Sequence, residues 1–152
     1  MSGSLLKIIK KLKCLSIIDI SKNSISRVLG NINFPNSLQH FLAHSNIFSR
    51  TFPMSLAMRE LFDLRKNKLK GEMPQYIGIF QNLRVLSISY NNFHGGLPQS
   101  ITNLTKLQVL DLSNNKFNGG IPFHLERFQG FIINVIFSNI KDDIKVPFSF
   151  IN

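Results

Sequence analysis

Four histidines and one cysteine are the residues here that could hold a metal or attack a substrate. His40 and His44 stand four apart, a spacing that on a helix brings two imidazoles over one ion. On an extended strand the same four steps span ~13 Å and keep the rings apart. Phe41 also occupies the place where a helical metalloprotease motif would carry its glutamate. No metal site is therefore expected, and His94 and His124 fall in turn regions where solvation accounts for them. Cys14 has Lys11 and Lys13 as the sole hint of a depressed thiol pKa, so a buried or convex-face structural cysteine is expected instead. Gly95-Gly96 and Gly119-Gly120 belong to no GxGxxG or GxxxxGK phosphate cradle, and no GxSxG elbow occurs. The sequence thus offers no catalytic residue and implies no cofactor.

What those glycines do belong to is a repeat. Leu104, Leu107, Leu110, Leu112, Asn115, Phe117, Gly119, Ile121 and Pro122 read as LxxLxxLxLxxNxFxGxIP. Twenty-four residues upstream the string recurs from Phe80 to Pro98, and a further twenty-four upstream from Leu56 to Pro74, with Arg59 in an apolar position. Weaker units centre on Ile18, Ile20 and Asn23 and on Phe41, Ala43 and Asn46; a sixth is placed on Phe128, Phe131, Ile136 and Asn139, with Asn134 at an apolar position. Successive asparagines from Asn23 are spaced 23, 21, 24, 24 and 24.

Units this short cannot bury their own apolar faces, so they must stack and share one core. The alternating centre of each unit reads as a short strand, and stacking sets the strands side by side in a parallel sheet. Asn23, Asn46, Asn67, Asn91, Asn115 and Asn139 then follow their strands, where amides can satisfy backbone groups that the bend leaves unpaired. The glycines and prolines exclude long helices from the far side and predict extended segments and 3₁₀ turns there. The expected fold is an α/β repeat solenoid of about six units over residues 1–139, its end units incomplete, followed by an irregular tail over 140–152.

The composition agrees with a folded chain: 152 residues, 43% hydrophobic and 17% charged. One cysteine excludes an internal disulfide and a multi-cysteine zinc site. The net charge of +10 would ordinarily raise nucleic acid or an anionic membrane as partners. The basic residues follow no groove-reading motif, however, and nucleic acid is not expected. Around Leu5 to Leu15, apolar residues between lysines could form a basic amphipathic helix. They also continue without a break into the repeat at Ile18, which is the preferred reading. No membrane span or conventional signal peptide is visible.

Residues 91 to 122, NNFHGGLPQSITNLTKLQVLDLSNNKFNGGIP, resemble the plant-specific subclass of leucine-rich repeats, whose mark is LxGxIP after LxLxxN. With the weaker units the resemblance runs from about Leu5 to Pro122, and loosely to Asn139. It implies a superhelix with a concave parallel β-sheet and a non-enzymatic recognition role, as in the ectodomains of plant receptor-like proteins and receptor-like kinases. It also implies a peptide or protein ligand, a co-receptor, and a plasma-membrane or extracellular location reached through segments this sequence does not show. Two other readings stay open: a secreted inhibitor of a cell-wall-degrading enzyme, similar to polygalacturonase inhibitors, and a nonfunctional truncated repeat. The family's cysteine-paired caps are missing, so the chain reads as a fragment.

Ligand recognition in a solenoid settles on the concave sheet, whose outward side chains are not needed for the core. The register lists His40, His44, Asp63, Arg65, Lys66, Arg84, Ser89, Tyr90, Asp111 and Asn114 as candidate contacts. His44, Arg65 and Ser89 align across three strands, with Lys66 and Tyr90 in the next row. Arg65 offers a planar fork for an anionic group and Tyr90 a rigid anchor. Asp63 lies two residues from Arg65 on the same face, where it can pair with it. A sixth strand would show Ile132, Ile133, Val135, Phe137 and Ser138. Asn103-Leu104-Thr105 is an N-glycosylation sequon predicted to lie on the convex flank.

Overall fold

The computed structural model describes residues 8–9, 11–26, 29, 32–120, 122 and 134–136. Asn139 and the expected tail over 140–152 lie outside them. The strands, numbered along the chain, alternate between two sheets. The concave sheet takes β1 (Ile17–Asp19), β2 (His40–Leu42), β4 (Leu61–Asp63), β6 (Val85–Ser87), β8 (Val109–Asp111) and β10 (Asn134–Ile136), side by side in that order. All five pairings are parallel. A second sheet takes β3 (Ser49–Arg50), β5 (Lys68–Glu72), β7 (Asn92–Gly95) and β9 (Lys116–Phe117). Three-residue and five-residue 3₁₀ turns at Met54–Leu56, Gln75–Ile79 and Gln99–Asn103 complete the far side. The expected solenoid of extended and 3₁₀ segments is therefore present, with the extended segments paired into a sheet of their own.

The strands β1, β2, β4, β6 and β8 each insert an apolar side chain between the sheets. Phe41, Phe62, Leu86 and Leu110 are fully buried in register across the concave sheet. Leu69, Phe93 and Phe117 are buried from the second sheet, where the register sets Gly71 opposite Phe93 and Gly95 opposite Phe117. Phe52, Phe62 and Phe80 fill the space between, their centroids 5.6 to 6.5 Å apart in edge or tilted contact. Part of the shortfall in the 21-residue spacing between Asn46 and Asn67 is local. The 3₁₀ turn of that unit holds three residues where the next two hold five.

The asparagines act as rungs between units. In Asn91, Nδ2 donates to the carbonyls of Ile88 and Ser89 in its own turn and to Leu64 in the unit before, at 2.9 to 3.3 Å. Its Oδ1 accepts the N–H of Leu69 at 3.0 Å, in the second sheet. Asn46, Asn67 and Asn115 repeat both halves of this pattern. Asn23 is exposed and, among the described residues, its side-chain amide donates to Ile20 and Ser21 of its own turn, so that only its backbone N–H, bonded to the Ser45 carbonyl, reaches the next unit. The residue before each rung, Lys22, Ser45, Lys66, Tyr90 or Asn114, is left-handed with φ of 53 to 55°. Side chains with a Cβ adopt this region at a penalty, which the flanking hydrogen bonds offset.

Three sequence readings change. The register sets Val135 opposite Leu110 and Asn134 opposite Val109. The sixth unit is thus one residue out of the expected phase, and Val135 rather than Asn134 takes the position aligned with the core row. Cys14 is exposed in the turn before β1, so of the buried and convex-face readings the buried one falls away. At the N-terminal end Ile8 and Ile9 are helical, with Ile9 buried as Ile101 is, whereas Leu12 is 45% exposed where Leu104 is buried.

Candidate functional site

The concave strands themselves carry three aspartates and no lysine or arginine. Asp19, Asp63 and Asp111 share one register position at the strand ends. Each turns back on its own chain. Oδ1 accepts the backbone N–H two residues on, from Ser21, Arg65 and Ser113, at 2.9 to 3.3 Å. The N–H of Ser21 holds the Asp19 carboxyl below its usual range, since the bond favours the charged form. These carboxylates close turns, and Asp111 also takes the Ser113 hydroxyl at 2.8 Å.

Basic side chains enter the concave face from the residues just beyond the strands. Arg65 forks onto Asp63, Nε to Oδ1 at 2.8 Å and Nη2 to Oδ2 at 2.7 Å. That bond, aided by the Asp63 charge against the desolvation, raises the guanidinium pKa. The expected pairing is therefore made, and both planar edges of the fork that face Asp63 are occupied. Arg84 Nε lies 3.7 Å from Glu60 Oε2 on the neighbouring unit. Lys66 Nζ sits 5.7 Å from the centroid of the Tyr90 ring, a cation–π contact, and Tyr90 is 53% exposed. His40 is half-buried in β2; His44 follows that strand, its Nδ1 3.1 Å from Ser45 Oγ. Asn114 is half-buried in the same column as Lys66 and Tyr90.

Ser89 departs from its expected role. It is 2% exposed, beside Arg65 in the register that Lys66 N–H to Ser89 C=O defines. A hydroxymethyl group only ~4.8 Å from a longer neighbour is overtopped by it. The exposed patch is thus Arg65, Lys66, Arg84 and Tyr90 with the two histidines at its margin, and Asp63, Ser89 and Asp111 form its floor and turns. Asn103 is exposed at the end of its 3₁₀ turn on the convex flank, as is Thr105.

One buried residue breaks the pattern that sequence reasoning assigned to it. Arg59 replaces the leucine found at positions 38, 83 and 107 and is 4% exposed. Nη1 reaches the Asn36 carbonyl at 3.4 Å, and Nε finds no partner among the described residues. Burial pushes its pKa down from the ordinary value, the response expected of a charge taken from water.

Residues 60–117, spanning β4 to β9, match the family model for leucine-rich repeats. The chain folds as a leucine-rich repeat solenoid. The repeats are 41% identical over 73 residues to Receptor-like protein 9b of Arabidopsis thaliana, an alignment that covers 45% of this chain and 8% of that protein. The chain therefore spans a small part of the length of the curated relatives it matches. Among solved structures, the Arabidopsis receptor kinase HAESA, in complex with the peptide hormone IDA and the co-receptor SERK1, superposes with a TM-score of 0.71 at 34% identity. That match covers 81% of this chain and 21% of HAESA. The leucine-rich repeat ectodomain of SOBIR1 from Arabidopsis thaliana gives 0.63 at 27% identity, over 79% of this chain and 66% of that one.

Proposed function

We propose that this chain is a non-enzymatic recognition module that binds a peptide or protein on its concave face, as part of a plant cell-surface receptor outside the plasma membrane. The observation that carries the reading is the exposed group of Arg65, Lys66, Arg84 and Tyr90 on a parallel sheet whose core is complete without them. An aromatic anchor among guanidinium and ammonium groups suits a partner with acidic and apolar side chains. The HAESA structure, solved with a peptide and a co-receptor, supports a ligand and a co-receptor as partners here too. Among the described residues no helix is long and apolar enough to cross a membrane, so anchoring would fall to other segments. A displayed library of random peptides selected on the full chain tests the site. Selected peptides should lose about tenfold or more in affinity when Arg65 and Tyr90 are both replaced by alanine. Unchanged affinity would remove the concave patch as the binding surface.

A further inference from the structure

The second sheet presents a different chemistry from the concave one. Its four strands hold Arg50, Lys68, Lys70 and Lys116 against one acid, Glu72. Alternation sends Leu69, Phe93 and Phe117 into the core, which leaves Lys68, Lys70, Asn92, His94 and Lys116 exposed. The register sets Lys70 beside Asn92, and His94 between Glu72 and Lys116. With ~4.8 Å between strands and ~7 Å between alternate residues, the three lysines form a diagonal band across β5, β7 and β9, with Asn92 and His94 along it. None of the three makes an ion pair among the described residues. Glu72 leaves them unpaired because its side chain folds over Gly95, its Oε1 3.1 Å from where a Cβ would stand. Gly95 is left-handed at φ +77°, so both its conformation and its missing side chain serve this arrangement.

We propose that this outer face binds a linear polyuronate, an acidic polysaccharide whose carboxylates recur along an extended chain. Three unpaired ammonium groups in a band match repeating carboxylates, and the amide and imidazole between them can bond to sugar hydroxyls. The band has no exposed apolar side chain to enter a lipid surface. The choice of a polysaccharide over a nucleic acid rests on the extracellular placement proposed above. The surface itself is separate from the concave site.

Polygalacturonate binding to the full chain, measured by calorimetry at low salt, tests the proposal. The wild type should bind, with an affinity that falls as salt screens the contacts. K68Q/K70Q/K116Q should lose about tenfold, and K11Q/K13Q/K106Q, which removes the same charge elsewhere, should lose less than about twofold. R65A should bind as the wild type does, so failure of the concave reading leaves this result standing. Absence of polygalacturonate binding overturns the proposal, as does an equal loss in the two triple variants. Displacement of the polymer by duplex DNA or by phosphatidylserine vesicles at equal charge concentration overturns it in favour of that other polyanion.

Discussion

The two sheets of this solenoid share one core and one set of asparagine rungs, yet they dispose of charge in opposite ways. On the concave face aspartates sit within the strands and bases just beyond them; Asp63 holds Arg65, and Glu60, which precedes its strand, stands near Arg84. On the second sheet the bases sit within the strands, and the one acid lies over a glycine. Between the two sheets, unpaired positive charge therefore stands on the second, not on the face where the repeat register first directs attention. Counting basic residues per face does not locate free positive charge. Partner geometry does, because an exposed ion pair is screened and locally spent.

The strongest way to break the comparison is to remove what both sheets lean on. Phe80 is fully buried and touches Phe52, Phe62 and Tyr76. Phe80→Ala should destabilise the fold by about 3–5 kcal/mol, through lost transfer energy and the cavity left behind. Urea unfolding followed by circular dichroism measures it. A loss below about 1 kcal/mol would mean that the two sheets do not depend on a common core. Asn91→Ala comes next. It removes one of two donors from the carbonyls of Leu64, Ile88 and Ser89 and leaves the Leu69 N–H without its acceptor, and should lower stability by about 1–3 kcal/mol. Asn23→Ala, which removes a side-chain amide bonded within its own turn, should fall by less than about 1 kcal/mol. Equal losses in the two variants would contradict the rung between units as the source of the difference.

Much of this was readable from residue spacing, and the parts that were not have a common cause. The LxLxxN pattern placed the concave strands and the rungs because period and burial act together: an inward leucine every second residue and an amide at each bend. Pairing of the far-side segments into a second sheet was implicit in Lys68-Leu69-Lys70 and Asn92-Phe93-His94, which alternate as strands do. Ser89 and Asp63 were legible as concave positions, but their access was not, since burial there depends on the length of the neighbour across the sheet. The phase of the sixth unit escaped for a similar reason. Without its leucines the unit is aligned by pairing with β8, and pairing is a property of two strands.

Arg59 sharpens the comparison from inside, as a buried basic residue whose Nε finds no partner among the described residues. Arg59→Leu restores the residue type of positions 38, 83 and 107 and should raise stability by about 1–3 kcal/mol, because an unpaired buried charge is replaced by packing. Thermal unfolding at neutral pH reads it out. A drop in melting temperature would show that the weak Asn36 contact outweighs the desolvation of the guanidinium.

The smallest effect separates stability from recognition. Asp63→Asn keeps the shape of the side chain and its acceptor for the Arg65 N–H but removes the charge under the fork. Arg65 is about half exposed, so water already screens the pair. The stability change should stay within about 1 kcal/mol. Binding should respond in the opposite sense to Arg65→Ala. A guanidinium released from its own carboxylate is free to engage an acidic partner, so peptides selected on the concave face should bind D63N as tightly as the wild type or more so. K68Q/K70Q should leave those peptides unaffected, since its charges belong to the other sheet. If instead D63N weakens the selected peptides as much as R65A does, the paired fork itself is the recognition element. Asp63 would then rejoin the concave site as the group that fixes where Arg65 points.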